Sequence, residues 1–311
     1  MSTDVAPFAE PVAIIPLPAR PRTLDLTNNG EFLVVSMDFV PHGEDAIRVF
    51  SVPDGELLAS TSPRSSRGAA FVDDGNAIAF LRQLDTPGVA LEKLAWRTNA
   101  PATDLGTSPL SVQSLTRSRS GQLLAITGTD VEVFSLAEDR TIRFINGDGE
   151  AESVVACFSY DERSIYLAQL EKGQLVQQDL RSGEELARWR IAPANGGSLS
   201  VSASGRFIAS QNARAAHLFD RDRPMYVDGA WLFEDRVATV PLFAGDESFV
   251  ALHALGSPRP LDLYSESGYL HRTKGPYRGL NTVGARAYDS EVYAWSSEAR
   301  QGRWQVLVYR R

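Results

Sequence analysis

The sequence predicts an all-β protein, a seven-bladed β-propeller built from four-stranded antiparallel blades. Three observations predict this fold class. A polar turn followed by a short apolar run recurs seven times, the turn centres are about 41 to 46 residues apart, and an alternating apolar segment follows each turn. A repeat of this length is typical of propeller blades, in which each repeat forms one small sheet.

The recurring turns are short and polar, and most contain a glycine that tolerates the positive φ of a tight connection. Their centres lie near residues 30, 75, 121, 162, 205, 246 and 289. The clearest copies read Asn29-Gly30, Asp74-Gly75, Ser120-Gly121 and Ser204-Gly205. Each turn therefore predicts a connection between the first two strands of a blade.

The alternating segments predict the third strand of each blade, because alternation gives a strand one buried and one exposed face. They cover residues 47–52, 91–96, 131–136, 175–180, 217–220, 261–264 and 305–309. Several are followed by a second turn and another short apolar run, as at Pro53-Asp54-Gly55. Each unit is thus expected to contain four antiparallel strands.

The two chain ends are expected to meet in one blade. The last repeat supplies only three strands, and the strand-like segment 12–17 precedes the first complete repeat. If this segment supplies the missing strand, the ring closes and leaves no open end between blades. The predicted domain organisation is a tail over residues 1–11 and a single propeller over residues 12–311.

Three segments carry a resemblance to a known class of propeller. Residues 28–36, 47–58 and 173–184 resemble blades of WD-repeat or YVTN-type propeller proteins. The chain departs from the WD pattern, since it has no Gly-His pair and no Trp-Asp pair; Phe219-Asp220 is the nearest match. The resemblance implies a divergent propeller, and its motifs identify an architecture that many activities share.

Composition excludes several classes of function. The chain carries 31 basic and 39 acidic residues and a formal charge of −8, which disfavours a nucleic-acid partner. No apolar stretch is long enough to span a bilayer, so no membrane association is expected. The single cysteine, Cys157, lies in an apolar run and is expected to be a buried free thiol. A cytoplasmic location is the simplest interpretation.

The familiar catalytic motifs are not found in the sequence, which contains no Gly-x-Ser-x-Gly, Walker A, His-Glu-x-x-His or Cys-x-x-Cys pattern. We therefore expect no catalytic residues, no metal and no cofactor, and interpret the chain as a non-enzymatic protein-binding platform, a scaffold or adaptor of a larger assembly. The alternative is a lactonase-like propeller hydrolase dependent on a divalent cation, for which Asp38, Glu44 and Asp45 are candidate ligands.

The predicted binding surface lies on one face of the disc. Loops that join second to third strands, and loops that join blades, gather on the same face of a propeller and can collect basic residues there. We expect an acidic protein partner to bind this face through His42, Arg67, Arg82, Arg214, His253, Arg259, Lys274, Tyr277, Arg278 and Arg300. The opposite face carries the tight turns, with acidic residues such as Asp73, Asp74, Asp161 and Asp289.

Overall fold

The computed structural model describes most of the chain, with gaps at connections between strands. The described residues are 11–38, 40–41, 43–61, 66–98, 100–110, 114–145, 154–169, 172–190, 198–211, 216–226, 242–243, 249–252, 261–265, 268–272, 283–298 and 303–310. Within these ranges the regular secondary structure consists of β-strands and one short 3-10 turn. In the described part of the chain, no helix is long and apolar enough to cross a bilayer.

The first four sheets each take four consecutive strands, and every neighbouring pair is antiparallel. They contain β2 (Pro21–Leu26), β3 (Phe32–Met37), β4 (Ile47–Ser51) and β5 (Leu57–Thr61); β6 (Ser66–Val72), β7 (Ala77–Gln83), β8 (Val89–Leu94) and β9 (Thr103–Ser108); β10 (Ser114–Arg117), β11 (Leu123–Thr127), β12 (Val131–Ser135) and β13 (Arg140–Ile145); and β14 (Val154–Phe158), β15 (Ser164–Gln169), β16 (Gln174–Asp179) and β17 (Glu185–Arg190). A single 3-10 turn, Asp73–Gly75, joins β6 to β7.

The remaining sheets follow the same order along the chain, except that the last one takes its outer strand from the N-terminus. They contain β18 (Ser198–Val201), β19 (Phe207–Gln211), β20 (Ala216–Asp220) and β21 (Arg223–Tyr226); β22 (Leu242–Phe243), β23 (Phe249–Leu252), β24 (Leu261–Ser265) and β25 (Gly268–Arg272); and β26 (Gly284–Arg286), β27 (Val292–Glu298), β28 (Trp304–Arg310) and β1 (Ala13–Leu17).

The first strand of each sheet lies on the inside of a ring. Each inner strand contacts the next one in the order β2, β6, β10, β14, β18, β22 and β26, and β26 contacts β2 again. The all-β propeller class predicted from the repeat is therefore confirmed, and the inner strands surround a common axis.

The prediction of seven full blades needs a correction. Six sheets have four strands of at least three residues each, whereas the inner strand of the β22–β25 sheet contains only Leu242 and Phe243. It forms two residue pairs with β23, Leu242 with Val250 and Phe243 with Phe249. A strand of two residues can form only a very short ladder, so this sheet is incomplete at its inner side. The described residues thus form six full blades and one reduced sheet.

The predicted closure by segment 12–17 is confirmed by the pairing of β1 with β28, from Ala13 opposite Val308 to Leu17 opposite Trp304. Side chains alternate along β1: Ile15 is fully buried against the first blade, whereas Ile14 is 51% exposed. Closure therefore depends on a buried apolar face as well as on backbone pairing. Residues 1–10 of the predicted tail lie outside the described residues.

A hydroxyl fixes the tight turn in four of the blades. The last inner-strand residue is followed by Thr or Ser, whose side-chain oxygen accepts the N–H of the residue five positions later. These bonds join Thr27 to Phe32 (3.1 Å), Ser118 to Leu123 (3.2 Å), Ser159 to Ser164 (3.0 Å) and Ser202 to Phe207 (3.0 Å). The residue just before each hydroxyl consequently occupies an equivalent place at the end of its inner strand.

Candidate functional site

A cavity of about 420 Å³ lies at the centre of the ring, and residues of all the inner strands line it. Its wall is partly apolar and partly polar, and its charged members are Arg22, Asp25, Arg117 and Arg286. A volume of this size lies in the range of small-molecule sites. The cavity is therefore the candidate functional site of the molecule.

Arg117 crosses the tight-turn end of the cavity and joins two blades that are not neighbours. Its Nε donates to Asp25 Oδ2 at 2.6 Å, and its Nη2 donates to the Leu26 carbonyl at 2.6 Å. Its Nη1 donates to Asn28 Oδ1 at 2.9 Å and to the Arg119 carbonyl at 3.0 Å. With a side chain only 5% exposed, Arg117 is a satisfied structural cation.

Asp25 is the buried anion of this pair. It accepts the Phe71 N–H at 2.7 Å in addition to the Arg117 guanidinium. Burial raises the pKa of the Asp25 carboxyl, while Arg117 and the Phe71 N–H act in the opposite direction. Asp25 therefore links three blades, because it belongs to β2 and its two partners lie on β6 and β10.

An aromatic pair completes the same end of the cavity. Tyr160 donates its hydroxyl to the Tyr288 carbonyl at 3.0 Å, and the two rings lie 5.9 Å apart. The guanidinium of Arg117 lies 5.0 Å from the ring centre of Tyr288, and that of Arg119 lies 4.4 Å from the ring centre of Tyr160. Burial raises the pKa of Tyr288 to about 12, so its hydroxyl is protonated at neutral pH.

Arg286 occupies a different environment in the same cavity. It is the last residue of β26, as Arg117 is of β10. Its Nε is buried and has no hydrogen-bond acceptor among the described residues. A buried donor without a partner is costly, so this atom marks a place where an added acceptor would stabilise the site.

The wall of the cavity offers no activated thiol. Cys157 is a free, buried cysteine, as the sequence predicts, and burial raises the pKa of its thiol. A neutral thiol is a poor nucleophile and a poor metal ligand. Cys157 therefore acts as a small apolar residue in the lining.

Two residues of the predicted partner-binding face lie within the described structure. Arg67 donates to Gln83 Oε1 at 2.9 Å, and Arg82 forms an ion pair with Glu92 at 2.7 Å while its side chain stays 42% exposed. Both belong to the face where the inner strands begin, because Arg67 lies near the start of β6 and Arg82 near the end of β7. The other predicted residues lie outside the described residues: His42, Arg214, His253, Arg259, Lys274, Tyr277, Arg278 and Arg300.

The candidate cation ligands of the first blade are directed to separate partners. Asp38 pairs with Arg22 at 3.1 Å, Glu44 pairs with Arg48, and Asp45 accepts a hydrogen bond from Ser60. In the described part of the chain, no group of three or more His, Cys, Asp or Glu residues could hold a metal. The three carboxylates therefore do not assemble into one site.

Asp25, Arg117, Arg286 and Tyr288 were not predicted as site residues. A signal was present, because Asp25, Arg117 and Arg286 place a charge in a short inner strand, just before the tight turn. Such residues converge only once the ring is closed. Comparison of the sequence with known protein families and with curated proteins finds no match.

Proposed function

We propose that the protein is a non-enzymatic platform for a protein partner, a scaffold or adaptor subunit of a larger assembly, with blades of the WD-repeat-like or YVTN type. The observation that supports this most is the closure of the ring by β1 and β28. In a closed ring, the loops of separate blades are held close together on the same face. Because these loops have little conformational freedom to lose when a partner binds, the entropic cost of binding is lower. A cytoplasmic location belongs to the same proposal, supported by the free thiol of Cys157.

The partner is expected to be acidic where it contacts the face at which the inner strands begin. Arg82 supports this expectation, because its side chain is 42% exposed even in its ion pair with Glu92. Exposed ion pairs contribute little stability, so Arg82 can exchange Glu92 for a carboxylate of a partner. Arg67 lies on the same face and is only partly buried.

The test compares charge reversals on the two faces. The first variant combines Arg67→Glu and Arg82→Glu, and a second one combines Arg259→Glu, Lys274→Glu and Arg278→Glu. Proteins that the wild-type chain captures from its native source are identified, and association rates are measured at low and at physiological salt. We expect each variant to slow association about tenfold at low salt, with a smaller effect as salt screens the charges.

The matched control reverses Glu31 and Glu56 to Lys, since both are exposed on the tight-turn face. Asp73, Asp74 and Asp161 are unsuitable controls: the first two adopt positive φ angles of 51° and 52°, and Asp161 accepts the Ser159 hydroxyl. Reversing them would disturb the turns themselves. If the Glu31 and Glu56 reversals slow association more than the arginine reversals do, the proposed face is wrong.

A further inference from the structure

The axial cavity carries an excess of positive charge on an acidic protein. Two of its three arginines have a carboxylate partner: Arg22 pairs with Asp38 at 3.1 Å, and Arg117 pairs with Asp25 at 2.6 Å. Among the described residues, Arg286 forms no ion pair, and its buried Nε has no acceptor. The cavity therefore holds one guanidinium whose charge is not balanced by a described neighbour.

The groups around Arg286 favour an anion with an apolar body. A guanidinium matches the two oxygens of a carboxylate through parallel N–H bonds. Tyr288 also lines the cavity, and its protonated hydroxyl can donate a further hydrogen bond to the ligand. Much of the remaining wall is aliphatic or aromatic, including Leu24, Leu115 and Phe243. This combination suits a carboxylate attached to a hydrocarbon group.

We propose that the axial cavity is a binding site for a small organic carboxylate, with Arg286 holding the carboxylate and Tyr288 donating a further hydrogen bond. The proposal does not require a protein partner, because residues of the inner strands supply most of the cavity lining. Arg117 and the Tyr160–Tyr288 pair cross its tight-turn end, so the ligand enters where the inner strands begin.

A free small molecule fits the cavity better than an acidic side chain of a protein partner. The space of about 420 Å³ is surrounded by strands from every blade, and it can enclose a whole small ligand. An acidic side chain of a partner would have to carry its own backbone into this space between the inner strands, whereas a free carboxylate can enter whole. The experiment distinguishes a free small carboxylate from an acidic side chain of a protein partner.

The experiment measures binding of benzoate, hexanoate and a short glutamate-containing peptide to the full chain by isothermal titration calorimetry, with benzamide and hexanamide as neutral isosteres. We expect at least one acid to bind at millimolar or lower concentration, at least tenfold more tightly than its amide. Arg286→Gln should weaken binding of that acid at least tenfold, Arg286→Lys should weaken it less, and Tyr288→Phe should weaken it by a smaller factor than Arg286→Gln.

Arg140→Gln is the matched control, because Arg140 is 65% exposed on an outer strand and pairs only with Glu138 among the described residues. It should leave binding unchanged. Crystals soaked in 4-bromobenzoate supply a readout that needs no variant, since anomalous scattering locates the bromine. The proposal is overturned if neither acid binds, if Arg286→Gln binds as tightly as wild type, if the bromine lies outside the cavity, or if only a glutamate-containing peptide binds.

Discussion

Arg117 and Arg286 end equivalent inner strands, yet the two arginines have opposite surroundings. Each precedes a residue whose N–H bonds to the carbonyl five positions on, Ser118 to Leu123 and Ala287 to Val292. Arg117 finds a carboxylate and several carbonyls, whereas the Nε of Arg286 is buried without an acceptor among the described residues. A repeat fixes the place of a side chain, and the residues that other blades bring to that place decide whether the side chain finds a partner.

The largest effect is expected from removing Arg117. Arg117→Met leaves the buried Asp25 carboxylate without its counter-ion, which should lower the free energy of unfolding by about 3–5 kcal/mol. Arg286→Met removes a donor that has no described partner, so it should leave stability unchanged or raise it. Urea denaturation of both variants measures the difference. Equal losses of unfolding free energy in the two variants would show that both arginines stabilise the fold. That result would contradict the contrast drawn between Arg117 and Arg286.

The second prediction tests the closed ring on which this comparison depends. Ile15 is fully buried between β1 and the first blade, and Ile14 beside it is 51% exposed. Ile15→Ala should lower the free energy of unfolding by about 2–5 kcal/mol, because it leaves a cavity in the closing contact. Ile14→Ala should change it by less than about 0.5 kcal/mol. Thermal melts report both, and a mild Ile15→Ala variant would contradict closure by side-chain packing.

The smallest effect concerns another pair of equivalent positions, Asp161 and Ser204. The Ser159 hydroxyl lowers the pKa of Asp161, and the Arg163 N–H bonded to the same oxygen acts in the same direction. In the matching turn, the Arg206 N–H is accepted by the Ser204 hydroxyl, which does not titrate in acid.

Because the folded pKa of Asp161 lies below its unfolded value, its contribution to stability is present above the unfolded pKa of about 4 and is lost as pH falls through the folded pKa. Asp161→Asn should therefore lose less stability than wild type between pH 5 and pH 2, on the order of a few tenths of a kcal/mol. Melts over this range provide the measurement, with Ser204→Ala as a control whose loss is independent of pH. A larger acid loss in Asp161→Asn would contradict the assignment.

Much of the fold follows from local features of the sequence. The turns at Asn29-Gly30, Ser120-Gly121 and Ser204-Gly205 fix their hairpins through glycine and through nearby hydroxyls, and alternation fixes which side chains are buried. These signals involve residues within one blade, so they can be recognised without tertiary structure. The closing role of segment 12–17 was also predictable, since a ring with a missing strand requires one.

The axial site could be recognised only from the tertiary structure. Asp25 and Arg117 are 92 residues apart in the chain and meet at 2.6 Å, and the Asp25 carboxylate also reaches the backbone of a third blade. Nothing local distinguishes Arg117 from Arg286, because each is one arginine at the end of a short strand. The blade count likewise depended on how far Leu242–Phe243 could pair, which the spacing of turns does not report.

The sequence by itself determined the repeated unit, its strands and its turns, since these rest on periodicity and on hydrogen bonds a few residues apart. Only the tertiary structure decided which charges on the inner strands neutralise each other and which one remains. The physical reason is that burial and ion pairing depend on distances across the axis, and these distances are set by the closure of the ring.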